Sequence, residues 1–469
     1  MQTLRGARRH PRAALPLVLM LLLAGCASYR PLPLPNQAQL AADVGALERT
    51  LPAPKGAAPR VIDPARGLAL DDVAILAVLN NPGLKATRAR LQVAGAQVFA
   101  AGLLPDPQLS ANVDHPAPGG AGLVNGAGLG LGLDLTPLIT RQARLDAARA
   151  GRRQVNLDVL WEEWQVTQRA RSLAVRDLLE QRRLGLLREM VGLYETRYAA
   201  SQRALSAGDI TVDASGADLV ALADAQRQLS DLEQTHAETD QALHGLLGLA
   251  PDATLPLAGP LPEPPPWPGE VRHALALLPK RRPDLLALQA GYAAQEAGVR
   301  AAILAQFPSL SLGISRARDT AGVYTSGFNI GLNLPLFTGN RGAIRAERAT
   351  RAQLRAEYQA RLDGAVSDVN RLLRLDAIVR RALEQADRTV PELKRQVDLA
   401  RPAFNAGDID ARSYLSIETA WYQKRLDRIG LEQSLWDDHI ALETLLALPA
   451  AAVTAPTDAR PLFPPQAQP

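Results

Sequence analysis

The sequence of 469 residues is poor in residue types that characterise several protein classes. It has one cysteine, so an internal disulfide is impossible and a disulfide-stapled scaffold is excluded. It has three methionines, of which Met190 alone lies beyond residue 20, so no methionine relay for copper is expected. Beyond the N-terminal region it has no run of 18 apolar residues, which excludes a transmembrane helix. If the chain crosses a membrane, it does so as strands.

Acidic residues are missing from the first 25 positions. This stretch carries four arginines, Arg5, Arg8, Arg9 and Arg12, and continues into an apolar run over 15–23. A basic region followed by an apolar run too short to span a bilayer is typical of a secretory signal peptide. Its removal leaves 48 basic and 48 acidic residues. Without a net positive charge or a basic cluster, a nucleic-acid partner is disfavoured.

The only cysteine follows this apolar run directly. Leu23-Ala24-Gly25-Cys26 resembles the lipobox of bacterial lipoproteins, in which Cys26 is acylated and becomes the first residue of the mature chain. Ala27 stands where the resemblance associates an aspartate with retention in the inner membrane. The resemblance therefore implies sorting to the outer membrane, whereas the alternative is an ordinary buried cysteine.

Most of the chain is an internal repeat. Three motifs recur about 200 residues later: Pro107-Gln108-Leu109-Ser110 as Pro308-Ser309-Leu310-Ser311, Ala207-Gly208-Asp209-Ile210 as Ala406-Gly407-Asp408-Ile409, and Leu246-Leu247-Gly248-Leu249 as Leu445-Leu446-Ala447-Leu448. We therefore predict a signal peptide (1–25), a lipid-anchored Pro-rich tether (26–66), a first repeat (67–250), a Pro-rich linker (251–269), a second repeat (270–449) and a disordered tail (450–469).

Long helices are predicted in each half. Residues Leu184, Leu187, Val191, Tyr194 and Tyr198 alternate spacings of three and four, which is typical of a coiled coil. A helix from about residue 138 to 205 would be roughly 100 Å long at ~1.5 Å per residue. Each repeat is therefore predicted to contain a helix, two strands, a long helix, a turn and a second long helix.

The predicted strands alternate between an aliphatic and a small or polar face. In the first half Leu129, Leu131 and Leu133 alternate with glycines, and in the second half Phe328, Ile330 and Leu332 alternate with Asn329 and glycine. Such alternation is typical of outer-membrane strands, with apolar side chains toward lipid. The alternative is a soluble hairpin whose apolar face packs on a helix.

Four strands cannot close a membrane barrel. The smallest barrels have about eight strands, and an open edge in lipid leaves unpaired backbone groups that cost several kcal/mol each. Several chains must then share one barrel, and eight strands from a dimer or twelve from a trimer both satisfy this requirement.

Taken together, these features resemble the TolC-like outer-membrane efflux protein family. The motifs that carry the resemblance are the paired Ala-Gly-Asp-Ile turns, the strand ends Leu133-Asp134-Leu135-Thr136-Pro137 and Leu332-Asn333-Leu334-Pro335, and the opening Asn81-Pro82-Gly83-Leu84. Gly102-Leu103-Leu104-Pro105-Asp106-Pro107 is similar to the heavy-metal-efflux branch. The strands depart from the family pattern in having few interfacial aromatic residues.

The resemblance implies a mainly α fold with a membrane β-barrel portion. In that fold a tandem repeat of helix, hairpin, helix and helix builds a long periplasmic α-helical barrel, and four strands per chain contribute to a shared 12-stranded barrel. It also implies a homotrimer in the outer membrane that extends into the periplasm. The implied partners are outer-membrane lipid, a periplasmic adaptor (membrane fusion) protein and an inner-membrane efflux pump.

The resemblance further implies a narrowed entrance at the tip of the second repeat. We predict that Asp408 and Asp410, repeated by symmetry, line this periplasmic aperture, and that Arg401 and Tyr414 tie neighbouring helices beside it. The turn residues Gly208, Asp209, Gly407 and Asp408 are predicted to contact the adaptor. An alternative role for Asp408 is to cap the following helix.

No catalytic, cofactor or metal site is expected. His236 and His244 lie eight residues apart on a predicted helix, and Asp437-Asp438-His439 forms a short polar run, but solvated helix surface is the favoured interpretation of both. The sequence thus predicts a passive exit duct of a tripartite efflux system. The alternative is a periplasmic coiled-coil structural or adaptor lipoprotein without a membrane barrel.

Overall fold

The computed structural model describes residues 29–51, 59–117, 122–267 and 271–448. The predicted signal peptide, Cys26 and the predicted tail 450–469 lie outside the described residues. The chain divides into two units, 1–40 and 41–469. Within the first unit, residues 29–40 form no helix or strand and are exposed.

The second unit is mostly helical, which confirms the prediction of a mainly α chain. It begins with short β1 (Thr50–Leu51) and β2 (Arg60–Val61). The first half continues as α1 (Leu70–Asn80), α2 (Pro82–Gly102), β3 (Gln108–Asp114), β4 (Gly126–Asp134), α3 (Thr136–Ala207) and α4 (Val212–Leu247). The second half has α5 (Val271–Arg281), α6 (Pro283–Leu304), β5 (Ser309–Arg318), β6 (Tyr324–Asn333), α7 (Arg341–Ala406) and α8 (Ala411–Leu446).

Two helices precede each strand pair, where the sequence predicts one. Pro82 and Pro283 are the first residues of α2 and α6, because proline has no N–H to continue the preceding helix but fits a first turn. The Asn81 side chain accepts a hydrogen bond of 2.9 Å from the Leu84 N–H and so caps α2. The Asn-Pro opening noted in the sequence is therefore a helix boundary.

The long helices pack in pairs, α3 with α4 and α7 with α8, and α3 also packs on α8. α3 has 72 residues, so its length is about 108 Å. The predicted seam residues Leu184, Leu187, Val191 and Tyr194 are buried in a core shared by α3, α4 and α8. Within the described part of the chain, no helix combines the length and the apolar character needed to cross a membrane.

Part of the predicted tether packs against the helices. Val44 and Ile62 are buried in a core with α1, α3 and α4, because these apolar side chains find a partner surface there. The Leu68 N–H donates to the Pro256 carbonyl over 2.7 Å, which fixes the predicted linker beside this segment. Val44 and Ile62 therefore anchor the described parts of this segment, 41–51 and 59–66, against the helices.

The four longer strands form one antiparallel sheet in the order β3-β4-β5-β6. Its register places Leu109 opposite Leu131, Leu131 opposite Ile314 and Ile314 opposite Phe328. Since side chains alternate along a strand, these four residues lie in one row on one face. β3 and β6 are the edge strands, each with one neighbour among the described residues.

Candidate functional site

The turns between the long helices have the same backbone conformation in both halves. Gly208 has φ 81° and Gly407 has φ 84°, the left-handed region that favours glycine. The N–H groups of Asp209 and Asp408 each donate over 2.9 Å to carbonyls of the preceding helix, those of Ala204 and Ala403. This pattern ends a helix, and it explains why Ala-Gly-Asp-Ile recurs in the sequence.

The two aspartates of the second turn have different surroundings. The Asp410 side chain accepts a 2.7 Å hydrogen bond from the Ser413 N–H and caps α8. This hydrogen bond holds the pKa of the Asp410 carboxyl below its usual range. Asp408 is exposed, and its side chain has no hydrogen-bond partner among the described residues. The capping role considered for Asp408 thus belongs to Asp410, which leaves the Asp408 carboxylate free at the tip.

Arg401 and Tyr414 are brought together beside this turn. The Arg401 Nε donates to the Tyr414 hydroxyl over 3.3 Å and so joins α7 to α8. This hydrogen bond raises the pKa of Arg401 above its ordinary value. The Tyr414 hydroxyl donates to Glu418 over 2.9 Å, and burial raises the pKa of Tyr414. The Tyr414 ring stacks on Phe404 with centroids 5.1 Å apart. The helix ends are therefore tied by polar and aromatic contacts.

Arg197 links the two halves near their tips. Its Nε lies 2.8 Å from the Asp218 carboxylate on α4, and its Nη1 lies 3.7 Å from Glu418 on α8. Its guanidinium sits 5.2 Å from the centroid of the Tyr414 ring and also donates to the Ala411 carbonyl. Because Asp218 and Glu418 are buried, this charge network joins the first helix pair to the second.

Arg197, Asp218 and Glu418 were not predicted from the sequence. Glu418 follows Tyr414 by four residues, a spacing at which side chains meet on one helix face. That spacing was a usable signal for Glu418. Arg197 and Asp218 lie on different helices, and no local pattern links them.

Two of the histidines interpreted as solvated surface are buried, so that interpretation is wrong for them. His244 and His439 are each 3% exposed. His439 Nε2 lies 3.5 Å from Glu443, and its ring packs on Trp267 with centroids 4.8 Å apart. Aromatic contacts and carboxylates accommodate them inside the helix packing. No group of three or more His, Cys, Asp or Glu side chains able to hold a metal ion occurs in the described ranges.

An ionisable cluster lies between α3 and α4. His236 Nδ1 is 3.4 Å from Asp177 and 3.7 Å from Glu180. Burial raises the pKa of Asp177 to about 6, although the neighbouring His236 opposes the shift. The Gln181 amide donates to Asp177 over 2.8 Å. This cluster is far along α3 from the tip residues.

The sheet presents an uncovered aliphatic face. Seven of its larger side chains are between 45% and 68% exposed, namely Leu109, Leu129, Leu131, Ile314, Phe328, Ile330 and Leu332. The opposite face carries glycine, serine and asparagine, and the Asn329 amide there donates to the Ser315 hydroxyl over 3.1 Å. An aliphatic surface of this extent is unusual for a protein surface in water.

Comparison with known proteins identifies related sequences. Residues 274–448 match the family model described as Outer membrane efflux protein. The chain is 31% identical over 227 residues to the pyoverdine export outer membrane protein OpmQ of Pseudomonas putida, covering 46% of this chain and 48% of that protein. It is 24% identical over 275 residues to the probable outer membrane lipoprotein SilC of Salmonella typhimurium, covering 56% and 59%. The chain thus spans about half the length of the curated relatives it matches.

Solved structures resemble the chain over more of its length. The CmeC outer membrane channel of Campylobacter jejuni superposes with a TM-score of 0.68 at 17% identity, covering 80% of this chain and 85% of that one. At this identity the likeness establishes the fold. Residues 274–448 therefore resemble the outer membrane efflux protein family, and the described residues share the fold of the CmeC channel.

Proposed function

We propose that this chain, as a homo-oligomer, is the outer-membrane exit duct of a tripartite efflux system. It would conduct substrates passively from an inner-membrane pump and a periplasmic adaptor across the periplasm and the outer membrane. The observation that carries the proposal is the sheet with its uncovered aliphatic face. A lipid environment stabilises that face, whereas water does not.

The sheet also supports assembly with further copies. β3 and β6 are open edges, and in lipid each unpaired backbone group costs several kcal/mol. We propose a homotrimer whose three sheets join edge to edge into a 12-stranded barrel. The exposed apolar residues Leu219 and Val220 on α4 and Ile378 and Leu399 on α7 offer further surface for contact between copies.

We propose that Cys26 carries the lipid anchor, so that the protein is both lipid-anchored and barrel-inserted, with the long helices in the periplasm. The lipobox-like sequence supports the anchor, and SilC, a relative, is named as a probable outer membrane lipoprotein. Acyl chains would hold the chain at the membrane before the barrel closes.

We propose that the helix turns form the periplasmic end of the duct. Asp408, exposed and unpaired within the described residues, would form a ring of carboxylates with its symmetry copies, and Asp410 would add charge beside it. Arg401 and Tyr414 would hold the surrounding helices in place through their hydrogen bond. The exposed turn residues Gly208, Asp209, Gly407 and Asp408 would contact the adaptor.

We propose that the chain acts without catalysis, cofactor or metal. OpmQ and CmeC are named for export and as a channel, which agrees with a passive role. In such a duct the choice of substrate is made upstream in the pump.

Membrane extraction tests the function against the alternative of a periplasmic lipoprotein without a barrel. The oligomer extracted in mild detergent should have the mass of a trimer and migrate more slowly in gel electrophoresis before heating than after it. A monomer whose migration does not change with heat would support the periplasmic lipoprotein instead.

Conductance of a double variant tests the aperture. Asp408→Asn with Asp410→Asn removes both charges, while asparagine at position 410 keeps the cap on α8. We expect altered conductance or lower cation selectivity in planar bilayers, with only a small decrease in the thermal unfolding midpoint. Unaltered conductance and selectivity would restrict Asp410 to capping and leave Asp408 without a role in the aperture.

A further inference from the structure

Two arginines interrupt the aliphatic face of the sheet. Arg316 and Arg318 alternate with Ser315 and Ala317 on β5, so they share a face with Ile314. The register places Arg316 opposite Leu129 and Arg318 opposite Ala127. Both arginines therefore lie on the face that the proposed function turns toward lipid.

The arginines lie at the end of the sheet that is remote from the helices. β5 ends at Arg318, and a short turn leads to Tyr324, which is opposite Arg318 on β6. The Arg318 guanidinium lies 5.7 Å from the centroid of the Tyr324 ring, within the range of a cation–π contact. Arg318 is thus held beside an aromatic residue at one rim of the aliphatic face.

Neither arginine is neutralised by the described residues. The Arg318 Nε atom is buried and has no hydrogen-bond acceptor. The nearest acid in sequence, Asp319, uses its carboxylate to accept a 2.9 Å hydrogen bond from the Val323 N–H in the turn. Asp114 lies on the opposite face of the sheet, in the row of Gly126. Within the part of the chain that the structure describes, the aliphatic face therefore ends in two positive charges with no acid beside them.

The position of these charges determines what can bind them. A lipid-facing arginine strongly destabilises a barrel near the middle of a bilayer but costs little near the bilayer interface. This favours a rim position at the level of the headgroups, where a tyrosine is also stable. Guanidinium groups bind phosphate with two parallel hydrogen bonds. Arg316 and Arg318 are two positions apart on one strand, about 7 Å, so both can reach one headgroup.

We propose that Arg316 and Arg318, with Tyr324 beside them, bind a phosphorylated lipid headgroup of the outer leaflet. This inference rests on the proposed function, because the helices must lie in the periplasm for this rim to face outward. The bound lipid would fix the depth of the barrel in the membrane. At this rim the two arginines would therefore anchor the barrel in the membrane by charge, a role that aromatic residues have in other barrels and that these strands, with few aromatic residues, lack.

Lipid binding to the full-length oligomer in detergent tests the proposal. The oligomer is titrated with diphosphoryl lipid A and, separately, with dephosphorylated lipid A that has the same acyl chains. Two basic side chains at an anionic surface predict about a thirtyfold preference for the phosphorylated form. In Arg316→Gln with Arg318→Gln this preference should fall to about twofold or less.

The matched control is Arg152→Gln with Arg153→Gln. It removes the same charge from exposed positions of α3 and should keep the full preference. Equal affinity of the wild type for both lipids, or an equal loss in the control, would overturn the proposal. Conductance of the wild type in planar bilayers distinguishes failure of the lipid site from failure of the proposed function. A conducting oligomer without lipid preference retains the proposed function and rejects the lipid site. A wild type that neither oligomerises nor conducts rejects both.

Discussion

Among single residues, Asp177 is the one whose charge opposes folding most clearly. Its carboxyl is buried between α3 and α4, and its pKa is raised to about 6. The ionised form is therefore disfavoured in the folded state. The free-energy cost of ionising the buried Asp177 carboxyl is fully present above about pH 6 and absent below pH 3.8, the ordinary pKa of aspartate. The free energy of unfolding therefore falls as the pH rises from 3.8 to about 6.

We predict that Asp177→Asn stabilises the protein at pH 7.5 and not at pH 3.5. The expected gain is about 1 kcal/mol after allowance for partial solvent screening. Chemical denaturation at the two pH values measures it, and Asp231→Asn on the exposed surface of α4 is the control. A gain of equal size at both pH values would show that ionisation of Asp177 is not the cause.

Residue types and spacing predicted which residues flank the second turn, but not their individual roles. The sequence allowed either a cap or an aperture role for Asp408, and the structure gives the cap to Asp410. The difference depends on which aspartate precedes the first helical residue, and a sequence locates a helix boundary only to within a few residues. Burial of His244 and His439 was missed because it depends on packing between distant segments.

Among the elements, the tips of the long helices depend on two glycines. Gly407 has φ 84° and open space around its Cα, so a side chain there meets no neighbour and strains only the backbone. We predict that Gly407→Ala lowers the free energy of unfolding by about 1 kcal/mol. The measurement is denaturant unfolding followed by helical circular dichroism.

Gly430 provides the matched control. It lies in the interior of α8, also with open space around its Cα, but in helical conformation. Gly430→Ala should stabilise the protein by roughly 0.5 to 1 kcal/mol. If both alanine variants shift the free energy of unfolding in the same direction, the left-handed backbone conformation is not the reason that position 407 requires glycine.

The strand faces give a prediction at the same scale. Leu131→Arg and Leu332→Arg place a charge on the aliphatic face, at a cost of about 2 to 4 kcal/mol near the middle of a bilayer. Asn329→Arg places it on the polar face and should be milder. The yield of heat-modifiable oligomer in the outer membrane measures the effect. Equal yields for all three variants would contradict the assignment of the aliphatic face to lipid.

The strands and long helices were predictable because their periodicities are local. Apolar residues at every second position predict the strands, and apolar residues at alternating spacings of three and four predict the buried seam of α3. The sequence predicted one helix before each strand pair, whereas the structure has two. Pro82 and Pro283 mark the boundary between them, but helix lies on both sides of each proline, so the helical pattern does not show the break. Packing of Val44 and Ile62 was missed because it depends on contacts with α1 and α3.

At the scale of the whole molecule, the described chain has a sheet with two open edges and an uncovered aliphatic face. A single chain leaves both unsatisfied in lipid. From the residues alone, a barrel of eight strands from two chains or of twelve strands from three chains was possible, because the sequence of one chain does not show how many copies assemble. The trimer is therefore a proposal that follows from the family resemblance and the open edges.

The most direct test of the shared barrel is disulfide cross-linking between strand edges in native membranes. A cysteine replaces Ser110 on β3, and a second replaces each position from 326 to 332 on β6 in turn; the single β3 variant controls for Cys26. Our account predicts that at least one pair yields covalent dimers and trimers and no larger species, because three copies close the ring. Absence of every cross-link, or a ladder that continues beyond three copies, would contradict it.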